Sequence, residues 1–251
     1  MSRLAGLRAA VRGARDPLTP PRRLRALVGP GDFNAIGDEF MGHFVELGGL
    51  RPEHDVLDVG CGAGRMARPL AGWLEGRYEG FDVVPEAIEW CRREIASRHP
   101  GFGFALADVR NSEYNPSGGR APDEYRFPYD DESFDFAFAT SVFTHLLPPA
   151  ADRYLAEVAR VLRPGGACLA TWFLLDPGAE RRTPEARRLV DRGDHLVTDG
   201  EAPEAAVAYA EGWLRERHAR HGLPIERIYY GSWNGREHRT SYQDLAVARR
   251  A

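Results

Sequence analysis

Apolar and polar positions alternate along the chain with two periods, and the switches between them mark the elements. Short, nearly uninterrupted apolar runs predict buried strands at "HDVLDVG" (54–60), "YEGFDV" (78–83), "FGFALADV" (102–109), "FDFAFATSV" (134–142) and "ACLATWFLL" (167–175). Between them, apolar residues three and four apart predict helices over 33–48, 63–74, 85–99 and 148–162. Ile88 and Ile95, with Cys91 between them, share one face of the third; Leu155, Val158 and Leu162 share one face of the fourth. Pro85 stands in a first turn, where its missing N–H costs nothing, and "RPGG" (163–166) supplies a glycine stop. Strands alternating with helices imply an α/β fold with a doubly wound, mostly parallel sheet. Residues 176–222 break the rhythm with charged, Ala-rich sequence that reads as a mainly helical insertion. "IERIYYGSW" (225–233) and "YQDLAVARR" (242–250) then read as a terminal antiparallel β-hairpin.

Two stretches stand outside this pattern. Residues 1–31 carry seven Arg against a single acid, Asp16. Leu4, Leu7 and Val11 have helical spacing, with Arg8, Arg12 and Arg15 on another face. We read residues 1–32 as a basic N-terminal arm packing on the domain formed by 33–251; a foot on a membrane surface or a partner is the alternative. The second stretch, residues 110–133, is a long polar Gly/Pro-rich loop, and loops of that length are commonly functional.

Composition narrows the class. A chain of 251 residues with 43% hydrophobic and 28% charged positions has the make-up of a globular protein. A net charge of −4 carries no nucleic-acid signal. No apolar run approaches the roughly 18 residues of a membrane span, and no apolar leader opens the chain, so a cytoplasmic protein without integral membrane association is expected. Cys61, Cys91 and Cys168 lie far apart without metal or disulfide spacing, and no metal site is expected.

The candidate chemistry begins at "VLDVGCGAGR" (56–65), where glycines crowd the turn after the first strand. Such a turn lets a ligand approach the backbone. The dinucleotide pattern needs a third glycine where Arg65 stands, which argues against NAD or FAD. A P-loop is excluded, because the chain contains no Lys. Asp82 ends the second strand, where a carboxylate accepts from ribose hydroxyls, and Asp108 ends the third, where it could accept from an adenine amino group. Two acids beside the loop disfavour a phosphate and suit a ligand with an adenosine and a positive centre.

"VLDVGCGAGR", "GFDV", "ALADV", "SFDFAFATSVFTHL" and "RVLRPGG", in this order and at these distances, make the chain resemble the seven-stranded, class I (Rossmann-like) S-adenosylmethionine-dependent methyltransferases. The resemblance implies S-adenosyl-L-methionine as co-substrate and a terminal hairpin that inserts an antiparallel strand. It implies that Asp58 and Gly60 hold the methionine amino end, and that Cys61, Gly62 and Gly64 let the backbone approach. Asp82 would bind the ribose, Val83 would lie against the adenine, and Asp108 and Val109 would bind its edge. Thr140 would line the pocket near the methionine, and Arg65 would contact a carboxylate or cap the loop.

The acceptor is less defined. No Asn-Pro-Pro-Tyr or Asp-Pro-Pro-Tyr follows the fourth strand and no Pro-Cys is present, which removes the usual signatures of nucleobase methylation. His145 in "VFTHL" is the catalytic candidate: at the carboxyl edge of the sheet it could deprotonate a hydroxyl, or it could be a packing residue. His195, Tyr229, Tyr230 and Trp233 are lesser candidates, and residues 181–200 a candidate lid. Similarity to bacterial methyltransferases of polysaccharide and natural-product pathways implies O-methylation of a small-molecule or sugar hydroxyl. C- or N-methylation of a lipid-like or aromatic metabolite, and a non-catalytic cofactor-binding scaffold, are the alternatives. A homodimer stays open.

Overall fold

The computed structural model describes residues 16–175, 183–237 and 240–251. The Arg-rich helix expected over Leu4 to Arg15 lies outside them. Strand β1 (Val56–Val59) is buried at every position, as a strand with both faces covered must be. Its neighbours are β2 (Tyr78–Asp82) and β4 (Phe134–Ala139), both parallel to it. Strand β3 (Phe102–Leu106) extends the sheet beyond β2, and β5 (Leu162–Trp172) extends it beyond β4, again in parallel.

The terminal hairpin completes the sheet. Strands β10 (Ile225–Tyr229) and β11 (Asp244–Arg249) pair antiparallel, and β11 inserts antiparallel against β5. The order β10-β11-β5-β4-β1-β2-β3 makes seven strands. The chain order reverses between β1 and β4, the switch point at which open α/β sheets bind ligands. Alternate residues face opposite cores. Leu57, Phe81, Ala137 and Cys168 pack with α5 (Pro148–Val161) on one face. Val56, Tyr78, Phe136 and Leu169 pack with α2 (Phe33–Glu46) on the other.

The segment ahead of α2 belongs to the second core. Leu18 and Leu24, the latter on the short helix α1 (Arg22–Ala26), are buried there. Arg68 ties the segment down through Asp16 at 3.0 Å and the Asn34 carbonyl at 3.0 Å. Residues 16–31 are therefore built into the domain wall.

Three element expectations need correction. The helix expected over 63–74 shrinks to α3 (Ala67–Leu70), because Gly60, Gly62 and Gly64 take left-handed backbone and the turns they make leave few residues to wind. The helix expected over 85–99 is α4 (Pro85–Cys91) continued by a π-helical turn, Arg92–Ala96. The insertion after β5 is mixed, not mainly helical. β6 (Leu174–Leu175) leads into it, and its described part has α6 (Pro184–Arg188), β7 (Leu189–Asp191), β8 (His195–Thr198), β9 (Val207–Ala210) and α7 (Glu211–Arg220). The four strands form a second sheet, ordered β6-β9-β8-β7. Leu189, Leu196, Val197, Val207 and Ala208 are buried. Burial of Leu and Val pairs on a pleated surface overrides the helix propensity of the intervening Ala and Arg.

Asp244 joins the two sheets. It is fully buried and accepts from the amides of Leu174 (2.7 Å) and Gly231 (2.8 Å), from the Trp233 indole (2.6 Å) and from Arg236 (2.9 Å). Among the described residues no helix is long and apolar enough to cross a membrane.

Candidate active site

The loop after β1 is tied to the end of β2. The amides of Gly60 and Cys61 donate to the Phe81 carbonyl at 2.9 and 3.0 Å, and the Gly62 amide donates to Asp82 Oδ2 at 2.8 Å. Asp82 Oδ1 accepts from the Val84 amide at 3.0 Å. Burial raises this carboxyl, while the amide donors of Gly62, Val84 and Val83 pull it back down. Asp82 thus sets the shape of the loop as well as the polarity of the site. Gly62 sits at φ 52°, and a Cβ there would come within 2.5 Å of Val28 Cγ1. The left-handed backbone and the covering side chain together leave no room for another residue.

Above this loop, at the carboxyl ends of β1, β2 and β4, opens a cavity of about 720 Å³. Small-molecule sites span about 300–1,000 Å³. Gly60, Cys61, Gly62, Arg65, Asp82, Val83, Val109, Thr140 and His145 line it, all of them expected site residues. Three expected residues lie elsewhere. Gly64 faces Ile95 and Cys91, so its missing side chain serves the packing of the turn after α4. Asp108 is exposed and accepts from the Gly119 amide at 2.9 Å; its backbone neighbour Val109 reaches the cavity instead.

Asp58 is the third. It is fully buried beneath the loop on the Tyr78 face of the sheet. The Tyr78 hydroxyl donates to its Oδ2 at 2.5 Å, and Oδ1 is buried without a partner. Burial raises this carboxyl to about 8, only partly opposed by the Tyr78 hydrogen bond. Cys61 lines the cavity, but burial pushes its thiol far up, which makes it a packing group rather than a nucleophile.

His145 ends a 3-10 turn, Phe143–His145, just past β4. Its Nδ1 lies 3.2 Å from the Glu204 carbonyl and 4.0 Å from Glu113 Oε2. A carbonyl only accepts, so the pairing places the proton on Nδ1 and leaves Nε2 with its lone pair. Burial lowers the pKa of the imidazole, against the opposing pull of Glu113 and the backbone carbonyls. A neutral ring with a free Nε2 can accept a proton.

Several wall residues were missed by sequence reasoning. Leu27, Val28 and Gly29 come from the segment read as an arm, Glu204 from the insertion, and Ser241, Tyr242 and Gln243 from the turn before β11. Ser141 also lines the cavity, in left-handed backbone at φ 58°. Its amide donates to the buried Thr171 hydroxyl at 2.7 Å, and its hydroxyl donates to Gln243 Oε1 at 3.2 Å. A non-glycine residue held this way beside a cavity was detectable only from coordinates.

The lesser candidates fall into structural roles. His195 pairs with Asp194 at 2.6 Å, Tyr230 donates to Glu211 at 2.6 Å, and Trp233 donates to Asp244. Neither they, nor Tyr229, nor any described residue of 181–200 lines the cavity. Among the described residues no group of three His, Cys, Asp or Glu side chains is placed to hold a metal.

Comparison with known proteins agrees with this geometry. Residues 57–170 match the family described as "Methyltransferase domain". A phthiotriol/phenolphthiotriol dimycocerosates methyltransferase of Mycobacterium ulcerans is 38% identical over 130 residues, 51% of this chain and 39% of that protein. An O-methyltransferase of Penicillium expansum is 31% identical over 123 residues, 48% of this chain and 38% of that protein. The chain thus spans well under half the length of the curated relatives it matches. In fold it is similar to the 1,6-didemethyltoxoflavin-N1-methyltransferase of Burkholderia thailandensis, with a TM-score of 0.57 at 19% identity over 90% of this chain and 82% of that one. That protein was solved with 1,6-didemethyltoxoflavin and S-adenosylhomocysteine bound. The strand order and the glycine loop accord with these matches: residues 57–170 carry the match to the methyltransferase-domain family, and the fold is that of solved S-adenosylmethionine-dependent methyltransferases.

Proposed function

We propose that the chain binds S-adenosylmethionine over the Gly60–Arg65 loop and transfers its methyl group to a hydroxyl of a small molecule. The cofactor, when bound, supplies an electrophilic methyl group on a sulfonium. The residues present fit it. The cavity is of the right size, and Asp82 stands at the end of β2 with one lone pair of each oxygen spent on the loop. Val83 and Val109 offer the apolar edges of an adenine slot.

Methyl transfer is an in-line displacement, so the chain's chief task is alignment. A hydroxyl acceptor must also lose its proton, and His145 Nε2 is the base we assign to it. The observation that carries this reading is the placement of His145 on the same cavity as Gly62 and Asp82, with its Nδ1 held by Glu204. Leu27, Val28, Ile36, Phe40, Val142 and Leu147 add an apolar stretch to a wall that also carries polar groups. They favour an acceptor with an apolar body over a bare sugar.

The test is transfer of labelled methyl from S-adenosylmethionine to a panel of hydroxylated aromatics, long-chain alcohols and glycosides, each beside its methyl ether or amine. Label on the hydroxyl oxygen, lost in His145→Ala, supports the reading. Label on carbon or nitrogen, with full activity in His145→Ala, overturns it.

A further inference from the structure

Because β11 runs antiparallel, its amino end lands at the sheet edge where the parallel strands finish. Three neighbouring strands therefore bring polar side chains together there. Ser141 follows β4, Thr171 stands near the end of β5, and Gln243 leads into β11. They make one chain of hydrogen bonds. The Ser141 amide donates to the buried Thr171 hydroxyl at 2.7 Å, and the Ser141 hydroxyl donates to Gln243 Oε1 at 3.2 Å. Among the described residues nothing accepts from Gln243 Nε2, so this amide keeps two unspent donors.

The chain of bonds is held at both ends. Ser141 stays in left-handed backbone at φ 58°, a conformation that persists in a non-glycine residue only where the surroundings impose it. On the other side, the carbonyls of Ser241 and Tyr242 accept from the amides of Ser232 and Trp233 at 3.1 and 2.9 Å. Gly231 runs so close that a Cβ on it would collide with the Gln243 backbone, and the next residue is the buried Asp244. Ser141 and Gln243 both line the cavity, and Val142 covers Gly60, where a Cβ would strike its Cγ2. The pair thus stands beside the glycine loop, on a fixed backbone, facing the ligand space. A few fixed polar groups in a largely apolar pocket set the orientation and identity of what binds.

On the methyl-transfer reading above, on which this rests, we infer that Gln243 is a specificity-determining residue for the acceptor. Its Nε2 donates to a carbonyl oxygen that the acceptor carries on its apolar body, apart from the hydroxyl that is methylated. Ser141 is the positioning residue: by occupying Oε1 it turns the hydrogens of the amide towards the ligand. A carbonyl only accepts and so matches two hydrogens. A carboxylate is matched better by a guanidinium than by a neutral amide, and a hydrocarbon would leave the donors unpaired.

The probes are acetyl-naphthols, substituted in turn at each free ring position, and the matching ethyl-naphthols, which keep the shape and lose the carbonyl. Titration calorimetry on the chain saturated with S-adenosylhomocysteine should show at least one ketone binding about tenfold tighter than its ethyl counterpart. Gln243→Leu should bind that pair alike, with the affinity for the ethyl compound and for S-adenosylhomocysteine kept. Ser141→Ala should reduce the preference without abolishing it, and it serves alone if the Leu variant does not fold. In the wild type, the side-chain amide resonance that disappears in Gln243→Glu should shift with the ketone and not with the ethyl compound. Pairs bound alike, or not bound at all with S-adenosylhomocysteine in place, overturn the inference. A folded chain that fails to bind S-adenosylhomocysteine overturns the cofactor reading instead.

Discussion

The two walls of the cavity are built by different rules. One wall comes from two short segments, Gly60 to Gly62 with Arg65, and Asp82 to Val83, fastened by three amides donating to Phe81 and Asp82. The other gathers Leu27–Gly29, Ser141 with His145, Glu204 and Ser241–Gln243 from four distant segments. The first wall is made of backbone and one carboxylate, so it can hold only a ligand of one shape. The second is made of side chains on loops, where substitutions redirect specificity without disturbing the sheet. A cofactor shared by a family belongs on the first, and an acceptor peculiar to one member belongs on the second.

Gly62→Val should break the first wall most severely. It forces a β-branched residue into left-handed backbone, at a cost of at least about 1–3 kcal/mol, and drives its side chain into Val28. S-adenosylhomocysteine binding should vanish in calorimetry, and the melting temperature should fall. A variant that binds normally would show that the close approach is unnecessary.

His145→Ala acts on the second wall. We expect kcat to fall about 10²- to 10⁴-fold with cofactor affinity intact. Burial lowers the histidine pKa in the folded chain, so the neutral, basic form persists to lower pH. Activity should therefore be lost only as pH falls below 6.5, the ordinary histidine value. A wild-type kcat profile with its acid limb above that point would refute the assigned base.

Asp82→Ala returns to the first wall. It removes the acceptor of the Gly62 and Val84 amides, and cofactor affinity should drop about ten- to a hundredfold. The turnover of saturated enzyme should change much less. An unchanged affinity would remove Asp82 from the site.

The smallest effect sharpens the comparison beneath the loop. Burial raises the Asp58 carboxyl from 3.8 to about 8, so the folded chain holds this proton more tightly than the unfolded chain. Its contribution to stability is full below pH 3.8 and is lost as pH rises towards about 8. Asp58→Asn should flatten that decline without disrupting the fold, because an amide oxygen still accepts from Tyr78. Urea unfolding at acid and weakly alkaline pH measures it; identical slopes in wild type and variant would count against a protonated Asp58.

The same division explains what the sequence made legible. Strands β1 to β5 and the helices between them announce themselves through buried apolar runs and periodicity, and the glycine loop through its spacing. The β-hairpin at the end followed from two β-branched and aromatic runs around a polar turn. The insertion was misread because Ala-rich, charged sequence has helical propensity, while the pairing of Val190 with Val197 and of Leu196 with Ala208 is a long-range choice. Asp108 was assigned by its place in the strand, but its side chain turns to Gly119. Residues 27–29 were hidden for a different reason: Val28 and Gly29 carry no chemical signature, and the Arg65 donors and the Val28 contact with Gly62 that place them over the loop exist only in the folded chain.

The most direct test of the account is calorimetric titration of the folded chain with S-adenosylhomocysteine and, separately, with NAD. A loop whose third dinucleotide glycine is replaced by Arg65, tied to Asp82 and covered by Val28, predicts saturable one-site binding of the adenosyl ligand and none of NAD. Binding of NAD, or of neither ligand, would contradict it.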